Sequence, residues 1–115
     1  MEGNNEIEKK LTEAWGNRKS NLRTSFNTAI HLFQETKEAN YQKGIADSEK
    51  ILGYCYWRFS DYSKSLAHSL SAVEIYKSLN DKKGEADTLN NLGAVYMFQN
   101  ENQKRLACNL NCLEL

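Results

Sequence analysis

The sequence predicts an all-α protein, and three observations carry that reading. Apolar residues recur at steps of three and four, with no run of strict alternation. A block of residues repeats at a spacing of 40. Proline is absent, and glycine occurs only six times in 115 residues, which disfavours architectures built on many tight reversals.

The repeat sets the organisation. Lys43-Gly44-Ile45-Ala46-Asp47 returns as Lys83-Gly84-Glu85-Ala86-Asp87, and Leu52-Gly53-x-x-Tyr56 returns as Leu92-Gly93-x-x-Tyr96. Residues 43–75 and 83–115 share 12 identities in 33 ungapped positions, where average composition gives roughly two. Residues 22–39 fit the same offset as the second half of an earlier, degenerate unit, with Ile30, Leu32 and Phe33 opposite Leu70, Ala72 and Val73. A one-residue shift then brings Leu11 and Trp15 to the places of Leu52 and Tyr56. One domain, residues 1–115, therefore holds three units, at about 5–39, 42–79 and 82–115.

Each unit reads as two helices. The first pair covers about 5–17 and 22–38, separated by the polar stretch Asn17 to Asn21. The helix 42–59 carries Ile51, Leu52, Cys55, Tyr56 and Phe59 at helical spacing, and 62–79 carries Tyr62, Leu66, Leu70, Val73 and Tyr76, with Ser60-Asp61 as the break. Asp81 is placed to accept hydrogen bonds from the amides that open the helix 82–98, and Asn100 with Gln103 has the form of a capping box for a last helix, 102–115. Glycine inside a helix costs about 1 kcal/mol relative to alanine, so Gly53 and Gly93, at the same phase of two units, imply a closely approaching partner helix.

Composition limits the function. Fifteen basic residues balance fifteen acidic ones, which gives no surplus positive field for nucleic acid or an anionic membrane. No apolar run approaches a spanning length, and the amino terminus has no signal-peptide pattern. Three cysteines without a C-x-x-C pair point to a reducing compartment, and the expected location is cytoplasmic. No phosphate loop, nucleophile elbow, zincin motif or dinucleotide fingerprint is present. Two histidines, His31 and His68, give little material for a catalytic or zinc triad. Cys108 and Cys112, with His68 on a neighbouring helix, lack a fourth ligand and read as small hydrophobes. The expectation is no enzyme, no cofactor and no metal.

A 40-residue helix pair with Leu-Gly-x-x-Tyr on its first helix and Asp61-Tyr62-Ser63-Lys64-Ser65-Leu66 opening its second resembles the tetratricopeptide repeat. The connection Ser78 to Gly84 is similar to that of the 40-residue subclass, found in animal polarity and motor adaptors and in the sensor arms of bacterial signalling proteins. The resemblance implies a right-handed superhelical solenoid of about three antiparallel helix pairs, with first helices lining a concave surface. Leu52, Gly53, Tyr56, Leu92, Gly93 and Tyr96 are then the structural signature. The groove-facing places carried over are Lys50, Tyr54, Trp57, Arg58, Asn90, Asn91 and Met97, together with Asp47, Asp87 and Ala94; Lys9, Glu13 and Asn17 are their counterparts in the first unit.

The implied function is a non-enzymatic, cytoplasmic scaffold that binds a peptide or helix in its groove, as the regulatory arm of a bacterial signalling protein. Two alternatives stand beside it. One is a structural or assembly adaptor without signalling output. The other is self-association through the last helix, whose Leu106, Leu110, Leu113 and Leu115 exceed what one neighbour can cover. That excess fits either a homodimer through residues 102–115 or a chain that is a piece of a longer protein. The expected partners are a protein or peptide, with neither nucleic acid nor membrane.

Overall fold

The computed structural model describes residues 2–99, and these form five helices: α1 (Glu2–Gly16), α2 (Leu22–Glu38), α3 (Gln42–Arg58), α4 (Tyr62–Ser78) and α5 (Lys82–Gln99). Four of the five sequence-based starts are met to the residue, and α1 begins at Glu2, ahead of the expected start. The last expected helix, 102–115, with its cysteines and the Asn100–Gln103 capping box, lies outside the described residues. No helix among those described is long and apolar enough to cross a membrane.

The turns explain the regular length. Asn40, Ser60 and Asn80 adopt positive φ, at 53°, 67° and 57°, and each closes the preceding helix with a pair of backbone bonds. After α2, Asn40 N–H donates to Lys37 O and Tyr41 N–H to Thr36 O; after α3, Ser60 bonds Trp57 and Asp61 bonds Tyr56; after α4, Asn80 bonds Lys77 and Asp81 bonds Tyr76. This is a Schellman closure, with asparagine or serine where glycine is usual. Acceptors at the next helix start complete the turn: Asp61 Oδ1 takes the Lys64 N–H at 3.3 Å and Asp81 Oδ1 takes the Gly84 N–H at 3.0 Å. The chain therefore reverses within three residues, and consecutive helices lie antiparallel.

Helix α3 packs against all four others. The main core joins Leu11 and Ala14 of α1, Ala29 and Leu32 of α2, and Ile51, Leu52, Tyr54 and Cys55 of α3; a second cluster joins Ala46 to Ala72 and Tyr76. Each fully buried leucine or isoleucine contributes about 1.5–3 kcal/mol relative to exposure. The odd-numbered helices also meet one another, α1 with α3 and α3 with α5.

Apolar spacing misplaced the inner face of the second helices. Leu70, expected on the packed face of α4, is 48% exposed, and Ile30 is exposed at the matching place on α2. The buried positions are Ser65, Ser69, Ala72, Val73 and Tyr76 on α4, matched by Ser25, Ala29, Leu32 and Thr36 on α2. Small residues face inward because the helices approach closely, and backbone carbonyls absorb two of their hydroxyls, while that of Ser69 has no partner among the described residues. Ser65 Oγ donates to Gly53 O at 2.6 Å, and Ser25 Oγ donates to Ala14 O at 2.7 Å. Phe59, expected in the apolar face of α3, lies at its rim against Phe26.

Gly53 has the role expected of it: a Cβ there would stand 2.2 Å from Ser69 Oγ and 3.4 Å from the Ser65 carbonyl oxygen. Gly84 is equally constrained, since a Cβ would come within 2.4 Å of the buried Tyr76 ring. No described atom lies within 4 Å of a Cβ built at Gly93; the helix expected to cover it is 102–115. Gly53→Leu is expected to lower stability by about 1–3 kcal/mol through overpacking. Gly16→Ala, at the open end of α1 where a Cβ meets nothing, is expected to raise it by about 0.5 kcal/mol. Urea titrations of both variants measure this, and equal midpoints would refute the close crossing.

Candidate functional site

Like ends of α1, α3 and α5 lie side by side, and the face they share divides into two halves. Beside the amino-terminal halves of α3 and α5 lies a cleft of about 320 Å³ whose lining includes Leu11, Thr12 and Trp15 from the later part of α1, Lys43, Asp47 and Lys50 from α3, and Asp81, Lys83 and Asp87. The repeated Lys-Gly-x-Ala-Asp motif supplies its charges. Lysine and aspartate four residues apart meet along one helix face, at 3.2 Å for Lys43–Asp47 and 3.3 Å for Lys83–Asp87. Lys43 also reaches Glu8 at 3.8 Å and Asp81 at 3.7 Å, so one ammonium ties α1 to the start of α5. Partial burial opposes the Lys43 charge, but Asp47, Asp81 and Glu8 outweigh it and hold the group above the ordinary lysine range.

Lys50 is the most enclosed charge on this face, at 8% exposure. Its Nζ stands 3.6 Å from Asp87 Oδ2 and 4.3 Å from the centre of the Trp15 ring. Burial pulls its ammonium below the ordinary lysine range, against the opposing effect of Asp47 and Asp87. Its backbone oxygen accepts the Asn91 Nδ2–H at 3.1 Å. Tyr76 rises from α4 behind the cleft and donates its hydroxyl to Asp47.

The carboxyl-terminal half is aromatic. Trp15 meets Tyr54 edge-on at 6.2 Å, Tyr54 meets Trp57 at 5.5 Å, and Trp57 meets Phe98 at 5.8 Å, so a chain of rings crosses from α1 to α5. Arg18 lies over Trp15 with its guanidinium carbon 3.6 Å from the ring centre. Arg58 donates from Nη1 to the Tyr54 hydroxyl at 2.9 Å. Met97 and Phe98 are each 53% exposed.

The seven groove residues read from the sequence thus fall into two groups. Lys50, Tyr54 and Asn91 are buried and hold α1, α3 and α5 together, whereas Trp57 is half-buried and Arg58, Asn90 and Met97 are open to solvent. In the first unit the cleft is lined by Leu11, Thr12 and Trp15; Lys9, Glu13 and Asn17 lie on more exposed ground outside it. The one-residue shift read for the first unit gave Trp15 the place of Tyr56, a packing position, and gave Arg18 none, although tryptophan near a helix end followed three residues later by arginine was a readable signal.

His68 is placed away from this face. Its Nδ1 is 3.2 Å from Oε2 of the buried Glu49, whose other oxygen accepts the Ser71 Oγ–H at 2.6 Å, and its ring stacks on Tyr56. Among the described residues no three His, Cys, Asp or Glu side chains converge to hold a metal ion. No protein-family model, curated protein or solved structure matches the chain.

Two buried acids make stability sensitive to alkali. Burial pushes the Cys55 thiol from 9.0 up to about 12, and burial together with Asp47 raises the Tyr76 phenol above the ordinary tyrosine range. The unfolded chain releases these protons first and so binds fewer of them above pH 9. Stability therefore falls as pH rises, approaching about 1.4 kcal/mol per pH unit for each group. Lys50 acts in the opposite sense just below pH 10.5, because its folded value is the lower one. Urea melts between pH 8 and 11 should decline, with a shallower slope in Cys55→Ala. An unchanged slope would place the thiol in water.

Proposed function

We propose that this chain is a non-enzymatic protein-interaction module of the tetratricopeptide type, a right-handed superhelix of hairpins whose concave inner face is formed by α1, α3 and α5. Its partner is a peptide or helix laid across that face. The observation that carries this reading is the row of rings from Trp15 to Phe98, which ends in half-open Trp57 and exposed Met97 and Phe98 beside exposed Arg58 and Asn90. Aromatic and arginine side chains with rigid support are what binding hot spots are made of. Asn90 offers an amide that both donates to and accepts from a peptide backbone.

By its resemblance to bacterial sensor arms, the module serves as the regulatory, cytoplasmic part of a signalling protein; an assembly adaptor would use the same face. Self-association is the second reading, supported by the exposed Leu89, Met97 and Phe98 on α5. Trp57→Ala is expected to weaken partner binding by about 2 kcal/mol or more while far-ultraviolet circular dichroism stays unchanged. Calorimetry against a partner captured with the whole chain measures it. Binding unaffected by both Trp57→Ala and Met97→Asp would refute the groove, and light scattering that shows a dimer lost with Met97→Asp would favour self-association.

A further inference from the structure

We propose that Lys50 is a covalent attachment site, an enclosed amine that forms a reversible imine with a small, uncharged aldehyde admitted to the cleft beside α1, α3 and α5. The site stands apart from the partner-binding surface at Trp57, Arg58 and Met97.

The three lysines of the cleft are held differently, and the difference singles out one of them. Lys43 Nζ bonds Asp47 at 3.2 Å and Lys83 Nζ bonds Asp87 at 3.3 Å, with side chains 42% and 85% exposed. Lys50 has the reverse arrangement. Its side chain is only 10% exposed, yet its Nζ stands 3.6 Å from Asp87 Oδ2, beyond hydrogen-bond reach. That nitrogen donates no hydrogen bond among the described residues, although the side chain lines the cleft.

An enclosed ammonium short of acceptors is poorly compensated for the water it has lost. Burial accordingly draws Lys50 below the ordinary lysine range, whereas Lys43 is held above it. The consequence is a larger share of free amine, the nucleophilic form.

The walls describe the electrophile. Leu11, Ile51 and Trp15 give the cleft an apolar side, and about 320 Å³ suits a small molecule. Three lysines and three aspartates line it, so its charge is already balanced. Imine formation keeps that balance. The Lys50 ammonium gives a proton to Asp87 or water, and the freed lone pair adds to the carbonyl carbon. A second proton passes from nitrogen to oxygen, the first returns, and the carbinolamine expels water. An ammonium and a carbonyl have become an iminium and water. The iminium bears the charge that the ammonium bore, so Asp87 and the Trp15 ring, 4.3 Å from Nζ, still face a cation. Acylation of the same nitrogen would cancel the charge and leave three carboxylates facing two ammonium groups. An aldehyde therefore fits the cleft better than a thioester or an acyl phosphate.

The test treats the whole chain, near neutral pH, with benzaldehyde and cyanoborohydride, which fixes an imine as a benzylamine. Peptide mapping by mass spectrometry follows each lysine separately. Lys50 should be benzylated at least tenfold faster than Lys83, the exposed reference, and this excess should vanish in denaturing urea. Thr12→Trp, at an exposed position on the cleft wall, should slow Lys50 at least fivefold and leave Lys83 unchanged. Helicity and unfolding midpoint are checked first, and Thr12→Phe serves if the tryptophan variant is unstable. Lys50 reacting no faster than Lys83, a rate indifferent to narrowing of the cleft, or an excess that persists in urea would each overturn the site. Fast, Lys50-selective reaction with acetyl phosphate but not with benzaldehyde would overturn the aldehyde assignment.

Discussion

Burial of α3 against all four other helices is the constraint on which the rest of the structure depends. A helix so enclosed draws partners for most of its buried polar groups from its neighbours, since an unmet buried donor or acceptor costs about 1–3 kcal/mol, although the Ser48 hydroxyl has none among the described residues. Glu49 is met by Ser71 and His68, Asp47 by Tyr76 and Lys43, Lys50 by Asp87, and the Gly53 carbonyl by Ser65. Each of these bonds also fixes how a neighbouring helix sits. The polar side chains of α3 therefore help to position α4 and α5, beside the packing of Ile51 and Leu52. They explain why an ordinarily exposed lysine and glutamate are tolerated inside a small domain.

Turn geometry sets the second requirement. Helices α2, α3 and α4 have 17 residues each, and each is stopped by a residue in the left-handed region followed by the same pair of backbone bonds. Equal lengths keep like ends of α1, α3 and α5 together. The lysine–aspartate motif of one helix consequently falls beside that of the next, and the rings near their carboxyl-terminal ends line up as a row. The division of the shared face into a charged and an aromatic half follows from this register and from the order of residues within each repeat.

The two halves differ in what they leave for a partner. In the charged half, ammonium groups and carboxylates neutralise one another within the protein, and the interactions there link helices. In the aromatic half the rings support one another while their outer faces, and the arginines on them, stay available. In the proposed groove, a surface rigid before binding would lose less entropy on complex formation, with Trp57, Arg58 and Met97 as the proposed contacts and the buried Lys50 and Asn91 beneath them.

The sequence by itself determined that the chain is helical, where α2 to α5 start, and that Gly53 needs a close neighbour, because a 40-residue duplication and helical periodicity are local properties of the chain. It also marked Lys50, Tyr54, Trp57, Arg58 and Asn91 as belonging to one face. Only the tertiary structure decided which of them are spent on packing, since that depends on Trp15, Asp87 and Tyr76 arriving from other helices. The inward face of α4 was likewise beyond periodicity: Ser65 and Ser69 outrank Leu70 there because helix separation, a property of two elements together, selects for size before hydrophobicity. Arg18 on Trp15 escaped for the same reason, as its place is defined by rings brought from α1 and α3 and by no repeat of its own.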